Sequence, residues 1–438
     1  MTANRNRTER HASRQGKLTR RAFLGAAAAV PYLVPRSVLG GPGRTAPNDA
    51  ITCATVGMGG LAPGIRCDKL LAVCDVRRDK LGGLPGERRA DGVDRHLDFR
   101  SVLDRDDIDA VAVGSTETWH AIQMIEAMKA GKDVYGEKPM SMTIGEAAAV
   151  RSTARRYGRV FQHGTQRTSS AVCQYARHLV AEGAIGRVVA AGVHDCQHGL
   201  LAIPGPCPLP AEPVSPDMLD WDLWVGPSPW RPFHSFAMRG VLAWHIYFDF
   251  GRNMVNGGAI HPNDAVRYIL GYEHESPVEI HPADGKEYTS VTTWRYADGT
   301  FLQVGFEGLP LPEEMRKAPS RDMYGGPLAV IGTEGKLVLD VGRMIWTDPP
   351  ELAHIPPDFE PPHRGGHAGE WHACIRSRTR PICNEDAAYQ SQFLCHSSEI
   401  AQTLKRPLTW EPVKEQFTGD DEANRLLHRT YRSPWRLE

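Results

Sequence analysis

Between residues 50 and 165 the chain repeats one pattern: a short apolar run, a stretch of helical character, then another apolar run. The runs are Ile51–Val56, Leu70–Asp75, Asp109–Gly114, Asp133–Glu137 and Arg159–Gly164, with helices expected at about Trp119–Ala130 and Ile144–Tyr157. The runs are nearly continuous rather than alternating, so both faces of each must be buried. A parallel sheet covered by helices on both sides does that. The pattern therefore predicts an α/β, doubly wound fold over 49–170. Past residue 171 the character changes. A helix at Ala171–Glu182 leads to a strand at Arg187–Asp195 and a Pro- and Trp-rich stretch from Pro204 to Phe233, after which the strands alternate. Thr289–Ala297 and Thr300–Phe306 flank Asp298-Gly299, which supplies the positive φ of a tight hairpin. Leu328–Ile331 and Lys336–Leu339 flank a second turn at Thr333-Glu334-Gly335. Residues 171–438 are thus expected to form an α+β domain with a large, mostly antiparallel sheet and helices on one side. Pro349–Pro362 reads as a proline-rich surface excursion.

The first 48 residues read as targeting rather than fold. Basic residues run from Arg5 to Arg21, and Thr19-Arg20-Arg21-Ala22-Phe23-Leu24 opens an apolar stretch ending at Pro35. That stretch falls short of the roughly 20 apolar residues of a bilayer span but suits a signal h-region. Paired arginines before Phe-Leu match a twin-arginine signal, and small residues allow cleavage after Gly40. An exported, periplasmic protein is expected, with no stable membrane insertion after cleavage; the alternative is a basic amphipathic anchor left uncleaved. The twin-arginine route carries folded proteins, which suits an enzyme that must acquire a cytoplasmic cofactor before it leaves. A formal net charge of -1 over 438 residues offers no broad basic face, so no nucleic-acid partner is expected. Nine cysteines without a Cys-x-x-Cys pair exclude a regular zinc ribbon and leave at least one thiol free. Cys53 and Cys74, inside predicted strands, read as small buried hydrophobes.

The first apolar run ends in Gly57-Met58-Gly59-Gly60-Leu61-Ala62, a Gly-x-Gly-x-x-Ala loop. Gly57 and Gly59 let the backbone turn tightly and approach a pyrophosphate, with Gly60 beside them, and Ala62 allows close packing of helix on strand. The helix N-terminus that follows would add partial positive charge toward the phosphates. The second run ends at Asp75, whose carboxylate can accept from a ribose 2′-OH and would repel a 2′-phosphate. NAD is favoured over NADP, although Arg77 keeps NADP possible. The crossover spans only residues 57–69, barely above the roughly 10–12 residues such units need, which predicts a shallower cleft on this side. Gly136-Glu137-Lys138-Pro139 closes another predicted parallel strand, beyond whose carboxyl end ligands bind. Pro139 biases Lys138 toward extended geometry. A lysine so placed and partly desolvated can hydrogen-bond a substrate hydroxyl and help its proton leave. The bland alternative is a solvated loop lysine.

Together with further motifs, these residues resemble the glucose–fructose oxidoreductase / inositol dehydrogenase (Gfo/Idh/MocA) family, over nearly all of the mature chain. The further motifs are Trp119-His120, Gln162-His163-Gly164-Thr165-Gln166-Arg167, Asp220-Trp221-Asp222-Leu223-Trp224-Val225-Gly226-Pro227, Gly258-Ala259-Ile260-His261-Pro262-Asn263-Asp264 and Gly419 to Leu427. The resemblance implies a Rossmann domain followed by a domain whose sheet backs the active site and often builds oligomers, so a homo-oligomer is expected. It implies cofactor contacts from Ser115, Thr116, Trp119, His120, Glu137, Lys138 and Gln166 as well as the glycine loop, Asp75 and Arg77. It also carries the family's lysine and histidine onto Lys138 and His261. The family's aspartate four residues before that histidine is missing: Gly257 stands there and Asn256 before it, so His261 is expected to carry the proton alone, assisted by Lys138. An ordinary imidazole pKa near 6.5 suits that role. Asp264, at the start of a helix expected over Asn263–Leu270, is expected either to orient His261 or to cap that helix.

Other constellations carry less. His194-Asp195-x-x-His198 and His363, His367 and His372 are metal-ligand residue types, but His194 ends a strand pattern rather than lying on a helix face, and no metal is expected. No Gly-x-Ser-x-Gly elbow is present for a Ser–His–Asp hydrolase. Trp221, Trp224 and Trp230 could stack on sugar faces but more often such residues cover a core. The expected activity is hydride transfer between a sugar or polyol CH–OH and a nicotinamide, with a retained and recycled cofactor. The rivals are NAD-dependent glycoside cleavage or epimerisation through transient oxidation, and a non-catalytic binding protein on a Rossmann frame.

Overall fold

The computed structural model describes residues 49–59, 67–82, 92–193, 210–239, 243–244, 247–251, 257–282, 292–304, 327–340 and 344–437. Residues 1–48, Gly60, Ala62, the His194–His198 group, Cys196, Cys207 and Asn256 lie outside them. Among the described residues, fifteen strands fall into two sheets. The first holds β1 (Thr52–Val56), β2 (Lys69–Cys74), β3 (Asp94–His96), β4 (Ala110–Val113), β5 (Asp133–Gly136) and β6 (Phe161–His163), in the order β3-β2-β1-β4-β5-β6. Every pairing in it is parallel. The central strands β4 and β5 are buried along their whole length, as their unbroken apolar runs require. The order reverses beside β1, and a crevice opens there beyond the strand ends. β3, a polar Asp-Arg-His edge strand, carries no hydrophobic period that could have announced it.

Cys53 is not merely a small hydrophobe. Parallel pairing of β1 with β2 brings Cys67, just ahead of β2, beside it, and the two form a disulfide with Cα atoms 6.1 Å apart. Cys74 does remain a free, buried thiol, and burial raises its pKa well above the ordinary value. The disulfide closes the loop that contains the glycine-rich turn, across a sequence separation of 14. Closing a loop of about 15 residues restricts the unfolded chain by roughly 3 kcal/mol. Cys67→Ala is therefore expected to lower stability by about 2–4 kcal/mol in oxidised protein and to change little once reductant is present, as read by denaturant melts. An equal loss with and without reductant would contradict the bond.

The second sheet holds β7 (Val188–Val193), β8 (Glu279–Pro282), β9 (Thr292–Arg295), β10 (Phe301–Val304), β11 (Leu328–Gly332), β12 (Lys336–Asp340), β13 (Met344–Asp348), β14 (Leu408–Glu411) and β15 (Gln416–Phe417). Its order is β13-β12-β11-β7-β10-β9-β8-β14-β15. All pairings are antiparallel except β7 with β10. The expected Asp298-Gly299 hairpin forms, with Gly299 at φ 87° and Phe301 opposite Arg295. Helices Ala171–Ala181, Ile260–Leu270 and Glu385–Leu404 pack on this sheet, and the last also packs on helix Ile144–Tyr157 of the first half. Glu385–Leu404 is buried along most of its length, so polar residues such as Ser391, Gln392 and Ser398 lie inside and blur its amphipathic period. One continuous core includes Val111 and Ile125 from the first half and Ile269, Trp294 and Phe393 from the second. The proline-rich excursion is anchored: Phe359 meets Tyr175 at a ring distance of 5.1 Å.

Candidate active site

A cavity of about 720 Å³ opens at the carboxyl ends of the first sheet's strands. That volume lies within the range of small-molecule and cofactor sites; residues 60–66 of the short crossover lie outside the described residues. Gly57, Gly59, Asp75, Arg77, Ser115, Thr116, Trp119, His120, Glu137, Lys138, Gln166 and His261 all line it. Eleven of the thirteen expected cofactor residues thus line one cavity; the other two, Gly60 and Ala62, are not described.

Each position follows from its element. Gly57 sits at φ 82°, and its amide donates to Cys74 O at 2.8 Å. A Cβ there would lie 2.3 Å from Ser115 N, and one on Gly59 would lie 3.3 Å from Gly114 O. Only glycine lets the turn press against the loop after β4. Asp75, directly after β2, accepts from Met58 N at 2.8 Å through one oxygen and from Arg77 N at 2.9 Å through the other. The acid therefore first fixes the glycine turn; each oxygen keeps a second lone-pair direction for a ribose hydroxyl. The Arg77 guanidinium is engaged by Asp79, with Nε 3.1 Å from the carboxylate. After β4, the His120 ring lies between two backbone carbonyls, Nδ1 2.6 Å from Pro139 O and Nε2 3.1 Å from Ser115 O, beside the ends of β4 and β5. Ser115 Oγ donates to Gln123 at 2.6 Å, and Gln166 Nε2 donates to Tyr135 OH at 2.7 Å.

Lys138 and His261 meet at the other end. Lys138 is half-buried, and its Nζ donates to Gly257 O at 2.7 Å, four residues ahead of His261. Burial lowers its pKa while Glu117 and Glu137 oppose that shift. His261 lies at the start of helix Ile260–Leu270, 6% exposed. Burial pushes its pKa well below the ordinary imidazole value, and the charges of Lys138 and Arg167 add to that. Behind it, burial takes His163 down to about 3 and His367 to about 4, so both are neutral near pH 7. The pair thus consists of a neutral imidazole and an ammonium whose charge is made easier to lose.

Asp264 requires correction. The helix begins at Ile260, three residues earlier than expected, with Ala259 at its N-cap. Asp264 neither caps it nor orients His261. Fully buried, its carboxylate accepts from Thr168 Oγ1 (2.5 Å), Ser391 Oγ (2.6 Å) and Arg267 (2.9 Å). Burial works to raise its pKa, but Arg267 and the hydroxyls outweigh it and hold the group ionised. A buried carboxylate must have such partners, and the sequence shows Arg267 one turn on. Of the three tryptophans, Trp224 lines the cavity and stacks on Trp221 at 4.6 Å, whereas Trp230 is 56% exposed beside Arg432.

Several lining residues escaped sequence reasoning. Glu117 is buried next to Lys138, but a first-turn glutamate normally reads as complementing a helix dipole. Leu97, Asp98 and Phe99 follow the unannounced edge strand β3. The Trp-rich stretch forms a roof held to the end of β2: Asp220 N donates to Val76 O at 3.1 Å and Arg78 N to Met218 O at 2.9 Å. From it Leu223 and Trp224 reach the cavity, as do Met238 and Trp244 beyond its end. Among the described residues no group of three or more His, Cys, Asp or Glu side chains is placed to hold a metal.

A doubly wound sheet thus sets a glycine turn and an acid at successive strand ends, facing a lysine and a histidine across one cavity. Residues 53–165 match the family model described as oxidoreductase family, NAD-binding Rossmann fold, and residues 175–437 match the oxidoreductase family, C-terminal alpha/beta domain. The chain belongs to the Gfo/Idh/MocA oxidoreductase family. It is 39% identical to a 1,5-anhydro-D-fructose reductase of Ensifer adhaerens over 244 residues, 56% of this chain and 60% of the reductase. It is 37% identical to a glycosyl hydrolase family 109 protein of Shewanella baltica over 90 residues, 20% of each chain. The chain thus spans three fifths or less of the length of these relatives. A levoglucosan dehydrogenase solved with NADH and levoglucosan shares the fold at a TM-score of 0.55 and 15% identity, over 82% of this chain and 99% of the dehydrogenase.

Proposed function

We propose that the protein transfers a hydride between a CH–OH group of a sugar or polyol and a nicotinamide cofactor, NAD in preference to NADP. One observation carries the reading: Lys138 and His261 line the same cavity as the glycine turn and Asp75. The residues fit a dinucleotide, because side-chain-free backbone at Gly57 and Gly59 and a carboxylate at the end of β2 stand where its phosphates and ribose need them. When bound, that group supplies the two-electron acceptor. His261, neutral, takes the proton of the substrate hydroxyl, and Lys138 holds the hydroxyl oxygen and favours the developing negative charge. The reductase and dehydrogenase named above support a sugar or polyol as substrate. The roof over the end of β2 supports a cofactor retained between turnovers. Export through a twin-arginine signal completes the proposal; the disulfide suits an oxidising compartment. Recovery of full-length chain from the cytoplasm alone would refute the export.

Incubation with NAD and a panel of sugars, polyols and glycosides should give the reduced-nicotinamide absorbance band with at least one of them. Mass spectrometry of the products separates plain dehydrogenation, which leaves a ketosugar with its aglycone intact, from cleavage. The glycosyl hydrolase relative motivates that second outcome, though it matches only 20% of the chain. No absorbance change and no altered product across the panel would sink both. The pH profile adds a signed prediction. Burial holds His261 below the ordinary 6.5 and Lys138 below the ordinary 10.5. His261 therefore stays in its base form to more acid pH, and the acid limb of kcat/KM should lie below 6.5, with the alkaline limb below 10.5. An acid limb at or above 6.5 contradicts the assignment.

A further inference from the structure

The segment 429–437 returns from the second half and joins three walls of the cavity. Arg429 donates to Thr118 O (2.7 Å) and to Thr118 Oγ1 (3.0 Å), at the first turn of helix Glu117–Lys129. The same guanidinium reaches the fully buried Glu146 at 2.6 Å, which also accepts from Tyr431 OH at 2.8 Å. Arg432 donates through Nε to Gly226 O (2.8 Å) and through its two terminal nitrogens to Asp222, and its amide donates to Pro227 O (2.9 Å). Trp435 then sets its ring edge-on to Trp119 at 4.5 Å, with Phe99 at 6.4 Å and the Arg100 guanidinium 5.2 Å from its centroid. Trp119 and Phe99, themselves 5.5 Å apart, are both lining residues. Trp119 Nε1 also donates to Leu223 O at 2.8 Å, on the roof. Trp435 does not line the cavity; it sits behind two rings that do.

We infer that residues 429–435 form a strap that holds the wall after β3, the first turn after β4 and the Asp222–Pro227 roof in one arrangement, and that Trp435 is a positioning residue governing how fast the dinucleotide leaves. The inference rests on the proposed placement of the dinucleotide in this cavity. The physical reason is that these three segments belong to separate loops. They meet at Trp119, which packs on Phe99 and donates to Leu223 O, and release needs only that junction to yield unless it is backed from behind. The strap supplies that backing. It acts through packing of aromatic faces and through charge-assisted hydrogen bonds to backbone carbonyls, without contributing a group to the chemistry.

The test is NADH release from the full chain, followed by stopped-flow fluorescence. Trp435→Ala should release NADH about tenfold faster or more, while kcat at saturating dinucleotide stays within about twofold. Trp435→Phe should recover most of the slow release. Arg432→Met, which frees the roof by a different contact, should show the same split. Unchanged release in Trp435→Ala, release from Trp435→Phe as fast as from Trp435→Ala, or a fall in kcat matching the loss of affinity would overturn the strap. A chain that binds NADH yet oxidises and reduces no sugar overturns the redox reading instead, and leaves the release rates to decide the strap. Failure of the unaltered chain to bind NADH overturns both.

Discussion

Lys138→Met is expected to lower kcat by roughly 10²–10⁴-fold, the range over which a positioned proton-transfer or hydrogen-bonding group acts, with dinucleotide affinity little changed. Methionine keeps most of the stem's volume but removes the ammonium, whose charge burial has made easier to lose. It also removes the 2.7 Å hydrogen bond to Gly257 O, so the segment leading into His261 loses its tie to β5. The glycine turn and Asp75 lie at the far strand ends β1 and β2 and are untouched, which is why binding should survive. Steady-state kinetics with a fluorescence titration of NADH checks both halves. A loss of affinity as large as the loss of kcat would mean that Lys138 only supports the cofactor. Full turnover by the variant would remove Lys138 from the chemistry altogether.

Gly57→Ala should have the larger effect on binding. At φ 82° an added Cβ would lie 2.3 Å from Ser115 N and 2.5 Å from Gly114 C, all backbone atoms with no rotamer to yield. Left-handed backbone costs a non-glycine residue roughly 1–2 kcal/mol, and forced overpacking about 1–3 kcal/mol more. The chain can relieve the clash only by moving the turn off the loop after β4, which breaks the surface a pyrophosphate would meet. Dinucleotide Kd should therefore rise by at least about tenfold, since each 1.4 kcal/mol is a factor of ten, and the denaturation midpoint should fall as well. Calorimetric titration and a denaturant melt of the same preparation measure the two. Unaltered affinity would show that the turn at Gly57 does not carry the phosphates.

The legible and illegible parts of the fold differ for physical reasons. Strands β1, β2, β4, β5 and β6 are mostly buried, β1, β2 and β4 in particular show nearly continuous apolar runs, and all five fall within two residues of their expected boundaries. Helix Ile144–Tyr157 begins and ends where expected, because Thr143 caps it and Gly158 closes it in left-handed geometry. β3 and the buried helix Glu385–Leu404 were not legible: one is a polar edge, the other has polar residues on every side. Site residues at strand ends follow from the parallel-sheet rule, which is how Asp75, Ser115 and Lys138 reach one cavity. What the rule cannot supply is contact across the fold. Cys67 beside Cys53, Arg267 beside Asp264, and Trp435 behind Trp119 depend on strand register and chain return rather than on local pattern.

The position of a bound dinucleotide decides every role assigned to Gly57, Asp75, Lys138 and His261. A crystal structure of the protein grown with NAD tests this most directly. The pyrophosphate should rest against Gly57–Gly59, the adenosine ribose against Asp75, and C4 of the nicotinamide should face the space between Lys138 and His261 where the substrate CH–OH would sit. Density for the dinucleotide elsewhere, or an adenine seated beside His261 with the nicotinamide turned toward β3, would contradict it.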